Sequence, residues 1–220
     1  MAFIVINQKC TIHKTYTNLS LKIDGMSTSF DGMKEIAFDR IFNKANLEKG
    51  FEKGEYISCT FQQLILTGMD LADSRFEDCQ FERCDLSNIS LKSSYLQGCE
   101  FTDCKLLGIR FDLCNVFGLD MNFESCQLDF SSFFQLKLPG KSFRSCSLKE
   151  CDFIACDLSK ANFQDCQLQG ALFEETQLRQ ADFRGAVNYL IDPDKNSIKG
   201  AHFSNPEVLS LLAKYQIKID

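Results

Sequence analysis

The sequence predicts an all-β solenoid with four faces per turn, and three observations carry that prediction. A large apolar residue recurs at every fifth position, a small residue stands two positions before each, and the order of Phe and Leu comes into line every twenty residues. A period of five fits neither the 3.6-residue repeat of a helix nor the simple alternation of a flat strand. It fits a short extended face followed by a corner. Internal repetition of this kind decides an architecture before local propensity does.

From Tyr56 the large residues run through Phe61, Leu66, Leu71, Phe76 and Phe81 to Phe111 and Val116. The phase then slips by two residues and resumes at Phe123, passing through Phe133, Phe143, Phe153, Phe163 and Phe173 to Phe183. Beyond Asn188 and Pro193 it recovers at Ile198 and Phe203. Strand side chains alternate, so the residue two before each centre also points inward. Eleven of the 12 cysteines occupy that slot, among them Cys59, Cys79, Cys104, Cys126 and Cys166; only Cys10 does not. Ala161, Ala171, Ala181 and Ala186 take the slot elsewhere. With four faces, Phe123, Phe143, Phe163, Phe183 and Phe203 form one column and Phe133, Phe153 and Phe173 another. Leucines fill the remaining two. Treating the slip as a corner insertion near Gly118 brings Phe61, Phe81 and Phe101 into the first column, so the coil runs on without a domain boundary.

Three segments follow. Residues 1–54 are expected to form an N-terminal cap and irregular first coils, with strands at Phe3–Ile6 and Leu19–Ile23 and a stray repeat at Ala45–Leu47. Residues 55–203 form the β-helix, with a two-residue bulge near 117–122. Residues 204–220 close it: Ser204-Asn205-Pro206-Glu207 carries a capping-box pattern with Pro in the first turn. Val208, Leu211, Leu212 and Tyr215 follow at helical spacing, predicting a capping α-helix of about ten residues, and Ile217–Ile219 alternates like a short strand.

The function classes narrow quickly. The N-terminus lacks the basic start of a signal peptide and no run approaches the length of a membrane span, which predicts a cytoplasmic protein with no membrane partner. A formal charge of −6 disfavours direct nucleic-acid binding and suits a basic partner. Cysteines five apart lie on successive faces in a small inward slot, where a free thiol packs as a compact hydrophobe; no metal, cofactor or disulfide is expected. The two histidines, His13 and His202, stand far apart, no Ser/His/Asp grouping or phosphate-cradling Gly motif occurs, and no catalytic site is expected.

What remains is the outer surface. Residues 55–129 hold thirteen acids and five bases, 13 − 5 leaving −8. The candidate acidic partner surface comprises Asp70, Asp73, Glu77, Asp78, Glu82, Asp85, Glu100, Asp103, Asp112, Asp120 and Glu124. It either imitates the phosphate charge of DNA or simply solubilises the coil. Apolar residues also fall at outward positions: Leu107, Leu113, Phe117, Phe130, Phe134 and Ile154. Of these Leu113, Phe134 and Ile154 form a candidate contact ridge, unless the N-terminal segment folds over it. Val208, Leu209, Leu211, Leu212 and Tyr215 form a candidate homodimer interface.

Ala-Asn-Phe-Gln-Asp (161–165) and Ala-Asp-Phe-Arg-Gly (181–185) are similar to the units of the pentapeptide-repeat family, and the resemblance covers roughly residues 55–203. It implies a right-handed quadrilateral β-helix. Characterised members, the Qnr- and MfpA-like quinolone-resistance proteins and the albicidin and microcin self-immunity proteins, are dimeric duplex-like rods that engage DNA gyrase or topoisomerase IV. Residues 101–108, and the stretch from Asn188-Tyr189 to Phe203-Ser204-Asn205-Pro206-Glu207, most resemble the albicidin-immunity type. The resemblance implies a DNA mimic acting on a type II topoisomerase; an interaction scaffold using the Phe134/Ile154 ridge is the alternative.

Overall fold

The computed structural model describes residues 36–45 and 51–218, all within the compact unit Lys34–Asp220. They form a parallel β-solenoid of about eight turns closed by one short helix. On the first face Ile36–Phe38, Glu55–Ile57, Arg75–Glu77 and Tyr95–Gln97 stack as a four-stranded parallel sheet. On the second, Ile41–Phe42, Thr60–Gln62, Gln80–Glu82, Cys99–Thr102 and Met121–Glu124 make a five-stranded one. Single bridging residues mark the third face (Ile65, Asp85, Lys105, Gln127, Ser147, Gln167, Val187) and the fourth (Arg110, Ser132, Asp152, Leu172). Among the described residues the coil is already present at Ile36, inside the segment expected to hold irregular first coils. The strands expected at Phe3–Ile6 and Leu19–Ile23, the Asn46 and Leu47 of the stray repeat, Cys10 and His13 lie outside the described residues.

The four columns stand as the Phe/Leu order predicts. Along the axis Phe143 stacks on Phe163 at 5.0 Å and 2°, and Phe163 on Phe183 at 4.9 Å and 4°. Across the interior the rings of the second and fourth faces meet edge to face, as Phe143 and Phe153 do at 5.7 Å and 83°. Both arrangements suit the aromatic quadrupole, and the buried Tyr56 joins them by stacking on Phe76 at 5.3 Å and 8°.

The phase slip is a two-residue insertion. Phe81 pairs with Phe101, a step of 20, whereas Phe101 pairs with Phe123, a step of 22. The insertion changes the expected side-chain assignment at one place. Val116, counted as an inward centre, is 71% exposed, and Leu119 packs against the core instead. Met121 likewise fills a slot given to a small residue on other rungs, and is buried. Slots at Leu64, Ile89, Ile109 and Leu136 are also larger than the pattern of Cys and Ala suggests.

Two kinds of corner alternate along the chain. After the bulge most corners are closed by a turn in which the slot N–H donates to the preceding centre, as Cys146 does to the Phe143 carbonyl at 3.2 Å. There each face keeps a single bridging pair. Before the bulge the corners flanking the second face stay open, so three-residue strands persist. At the open corners between the second and third faces the slot N–H finds a sulfur: Cys84, Cys104 and Cys126 each donate to the thiol one coil on, Cys104, Cys126 and Cys146, at 3.4 Å.

The cap departs from expectation in three respects. The closing helix, Glu207–Tyr215, is 3-10 rather than α, with Leu209 N–H on the Pro206 carbonyl and Gln216 N–H on that of Ala213. A 3-10 segment rises about 2 Å per residue against about 1.5 Å for an α-helix, so nine residues reach further across the open end. The reach is pinned at both ends. The Ser204 hydroxyl accepts the Gly185 N–H at 3.0 Å, and the Lys214 ammonium bridges Asp192 and Asp194. Because Ser204 is engaged with the coil, no capping box forms and Pro206 is the N-cap. Ile217 and Lys218 lie outside any strand, and Ile219 is beyond the described residues.

Candidate interaction surfaces

Outward positions on this fold flank each centre, so a charge repeated every twenty residues lines one face. The second face gathers acids most densely: Glu82, Glu100 and Glu124 stand on its strands, with Asp78 and Asp103 at its two corners. Across residues 58–63, 78–83, 98–103 and 121–125 Arg83 is the sole basic residue. Amides tie these carboxylates into ladders. Gln62 donates to Glu82 at 3.1 Å and Asn122 to Glu100 at 2.9 Å, while Arg144 reaches Glu124 at 3.5 Å.

The other sequence-derived acids scatter around the coil, and most are paired. Arg75 meets Glu77 at 2.8 Å, Arg110 meets Asp112 at 2.6 Å, Lys105 approaches Asp85 at 3.7 Å, and Lys141 holds Asp120. The Lys53 ammonium, 2.5 Å from Asp70, holds that carboxyl below its usual range. At Asp112 burial pushes the carboxyl up, but the Arg110 and Ser132 hydrogen bonds outweigh it and leave the group below the ordinary value. Asp73, Asp78 and Asp103 share a structural role, since all three occupy the left-handed corner position at φ 61°, 51° and 53°. Asp tolerates that conformation better than most residues. The Asp78 carboxylate also occupies the space a side chain at Gly98 would need, so a larger residue there would displace it.

The apolar ridge lies on the fourth face. Register pairs Arg110 with Ser132 and Ser132 with Asp152, which stacks Phe134 on Asp112 and Ile154 on Phe134, with Leu113 one step around the corner. Leu113 and Phe134 are exposed and Ile154 is half-buried; Phe117 and Phe130 are exposed and Leu107 half-buried. At the C-terminal end Leu209, Leu212 and Tyr215 face solvent and Val208 is half-buried, while Leu211 packs against the core. Leu211 therefore serves the cap, and the outward set is Leu209, Leu212 and Tyr215.

Cys59 to Cys166, the eleven slot cysteines, are free and buried. Burial pushes the Cys99, Cys114, Cys156 and Cys166 thiols up to about 12, so they stay protonated and able to donate. The slot thiols other than Cys114 and Cys146 donate in a fixed direction, toward the carbonyl of the preceding coil: Cys151 to Leu128 at 3.1 Å, Cys156 to Phe133 at 2.9 Å, Cys166 to Phe143 at 2.8 Å. Ser94, Ser131 and Thr176 make the same bond with hydroxyls. Packing alone does not capture this role, and the signal for it was the choice of Cys, Ser and Thr over Ala in those slots. Among the described residues no three His, Cys, Asp or Glu side chains converge as a metal site, and no helix is long and apolar enough to cross a membrane.

A four-faced parallel coil with inward centres and hydrogen-bonded slots defines a class of repeat protein, the parallel β-solenoid. The pentapeptide repeat region model matches residues 74–138 and 131–203, and the chain belongs to the pentapeptide-repeat family. Among solved structures it is similar to trypsin-treated QnrB1, a plasmid-mediated fluoroquinolone resistance protein. The identity is 16% and the TM-score 0.55, covering 86% of this chain and all of that one. HetL, a pentapeptide-repeat protein involved in heterocyst differentiation regulation from the cyanobacterium Nostoc sp., matches at 15% identity and a TM-score of 0.38. That match covers 67% of this chain and 84% of HetL. Comparison with the curated proteins gave no match.

Proposed function

We propose that this chain is a non-enzymatic, cytoplasmic interaction protein that imitates duplex DNA and engages a type II topoisomerase, gyrase or topoisomerase IV. In this reading it moderates a topoisomerase poison, a quinolone or a peptide antibiotic; the albicidin-immunity likeness of residues 101–108 and 188–207 favours the second. One observation carries the reading. Glu82, Glu100 and Glu124, with Asp78 and Asp103, stand on consecutive rungs of one parallel sheet against two cations, Arg83 at 3.9 Å from Glu82 and Arg144 at 3.5 Å from Glu124. Rungs about 4.8 Å apart present carboxylates in two adjacent columns, Glu82 and Glu124 in one and Glu100 in the other, and a surface of that kind suits a cleft built to neutralise phosphates. The fold shared with QnrB1, itself a fluoroquinolone resistance protein, lends support. A homodimer joined through Leu209, Leu212 and Tyr215 lengthens the reach of these columns.

The test is gyrase supercoiling with purified full-length protein, with and without a quinolone. Wild type is expected to alter supercoiling or protect it from the drug. Glu82→Lys/Glu100→Lys/Glu124→Lys, which leaves the left-handed corners alone, is expected to lose the effect at unchanged circular dichroism. No effect of wild type at micromolar concentration rejects the proposal. Exposure of Leu113 and Phe134 favours a second reading, an interaction scaffold without a topoisomerase role.

A further inference from the structure

Between Cys114 and Met121 the coil breaks its own rule. Val116, in the place of a centre, is 71% exposed, and Phe117 beside it is 84% exposed. The loop is held rather than slack. Asn115 Oδ1 accepts the Phe117 N–H at 2.9 Å, Gly118 turns at φ 69°, and the Asp120 N–H returns to the Leu96 carbonyl at 2.8 Å. The arrangement costs the coil twice. Two large apolar side chains face water, and among the described residues no bridge joins the loop, as the first-face rung it replaces, to Tyr95–Gln97 before it or to Lys137 after it. Bulges of this kind recur where a fold re-aims side chains for use.

The surroundings narrow the partner. Leu113 (46% exposed) and Phe134 (38% exposed) adjoin the loop around the corner between the fourth and first faces. The nearby acids are already engaged, Asp112 by Arg110, Asp120 by Lys141, and Asp152 and Asp157 by the backbone N–H groups of Ile154 and Ser159 at 2.9 and 3.1 Å. Two exposed cations flank the patch: Lys92, one coil before Asp112, and Lys137, on the coil after the loop. Among the described residues neither has an ion-pair partner. The apolar patch is thus rimmed by two exposed cations whose charge no salt bridge of the described residues takes up.

We infer that this knuckle docks an amphipathic, acidic segment of a protein partner, with Phe117 entering an apolar pocket and Lys92 and Lys137 meeting carboxylates at its rim. Aromatic anchors in a fully desolvated pocket carry most of the energy of such contacts. The inference stands apart from the acidic face, which lies on another side of the coil.

The test places a photo-crosslinking benzophenone side chain at position 117 of the full-length protein in its host cells, with Ile65, an exposed apolar position on the third face, as control. A product formed from 117 and absent from 65 is expected. Mass spectrometry is expected to map it to a segment with carboxylates next to apolar residues. Lys92→Glu/Lys137→Glu in the same background is expected to lower the yield at least about tenfold, at unchanged circular dichroism. The inference is overturned by equal labelling from both positions, by a product that is lipid or a second copy of this chain, by a mapped segment without carboxylates, or by a yield indifferent to the charge reversal.

Discussion

Cys104 makes two thiol contacts between coils that an alanine in its slot would lose. Its thiol donates to the Phe81 carbonyl at 3.3 Å and accepts the Cys84 N–H at 3.4 Å, and its own N–H reaches the Cys126 sulfur. Cys166 donates to Phe143 but closes its own N–H on Phe163 in an ordinary turn. Cys104→Ala therefore leaves a buried N–H and a buried carbonyl short of partners and is expected to cost about 2 kcal/mol, against about 1 kcal/mol for Cys166→Ala. Urea melts of the two variants check the order. The thiols also set a pH response. Unfolded cysteines titrate near 8.5, whereas burial lifts Cys99, Cys114, Cys156 and Cys166 to about 12. Between those values the folded state binds more protons than the unfolded one, so stability is whole below about pH 8.5 and falls as the pH rises toward 12. A stability profile that stays flat from pH 8 to 11 would contradict the burial of these thiols.

At the scale of the element, the Phe columns supply the cohesion. Phe153 stacks between Phe133 at 5.0 Å and Phe173 at 5.2 Å and meets Phe143 and Phe163 edge-on, both at 5.7 Å. Phe153→Ala is expected to destabilise by about 3–5 kcal/mol. Phe203, half-buried beneath the cap, is expected to lose clearly less on the same change, as denaturant titration would report. The columns were legible because a period of five and a phase of twenty are long-range regularities that no alternative element shares. The corners were less so. Val116 sits in phase with the centres before it, and only the register of Cys99 with Met121 tells that the insertion precedes Met121 and turns Val116 outward. The 3-10 character of the closing helix was likewise hidden. Val208, Leu211, Leu212 and Tyr215 satisfy an α-helical spacing, and what overrides it is the attachment of Ser204 to Gly185 and of Lys214 to Asp192 and Asp194, contacts remote in sequence.

For the molecule as a whole, the candidate surface residues lie outward on the coil with the exception of Leu211, but they do not act as one set. Position in the repeat told which acids face solvent; it did not tell that Asp112 and Asp120 are taken by Arg110 and Lys141, leaving the second face as the coherent acidic surface. Pairing depends on which rotamers meet across rungs, and residue type alone does not carry that. At the C-terminal end Leu212→Ala/Tyr215→Ala is expected to give monomers in sedimentation, since the outward apolar side chains of the closing helix are the proposed contact. An unchanged mass would refute that interface.

In a coil each turn touches its two neighbours and little else, so cohesion is handed from turn to turn. At the bulge one of the four ladders is interrupted while the other three carry across. Pulled from its ends, or probed by hydrogen exchange under mild denaturant, the chain should give way there first, the turns after the knuckle loosening together while those before it hold. The loop that offers Phe117 to the outside is thus also the seam along which the repeat divides.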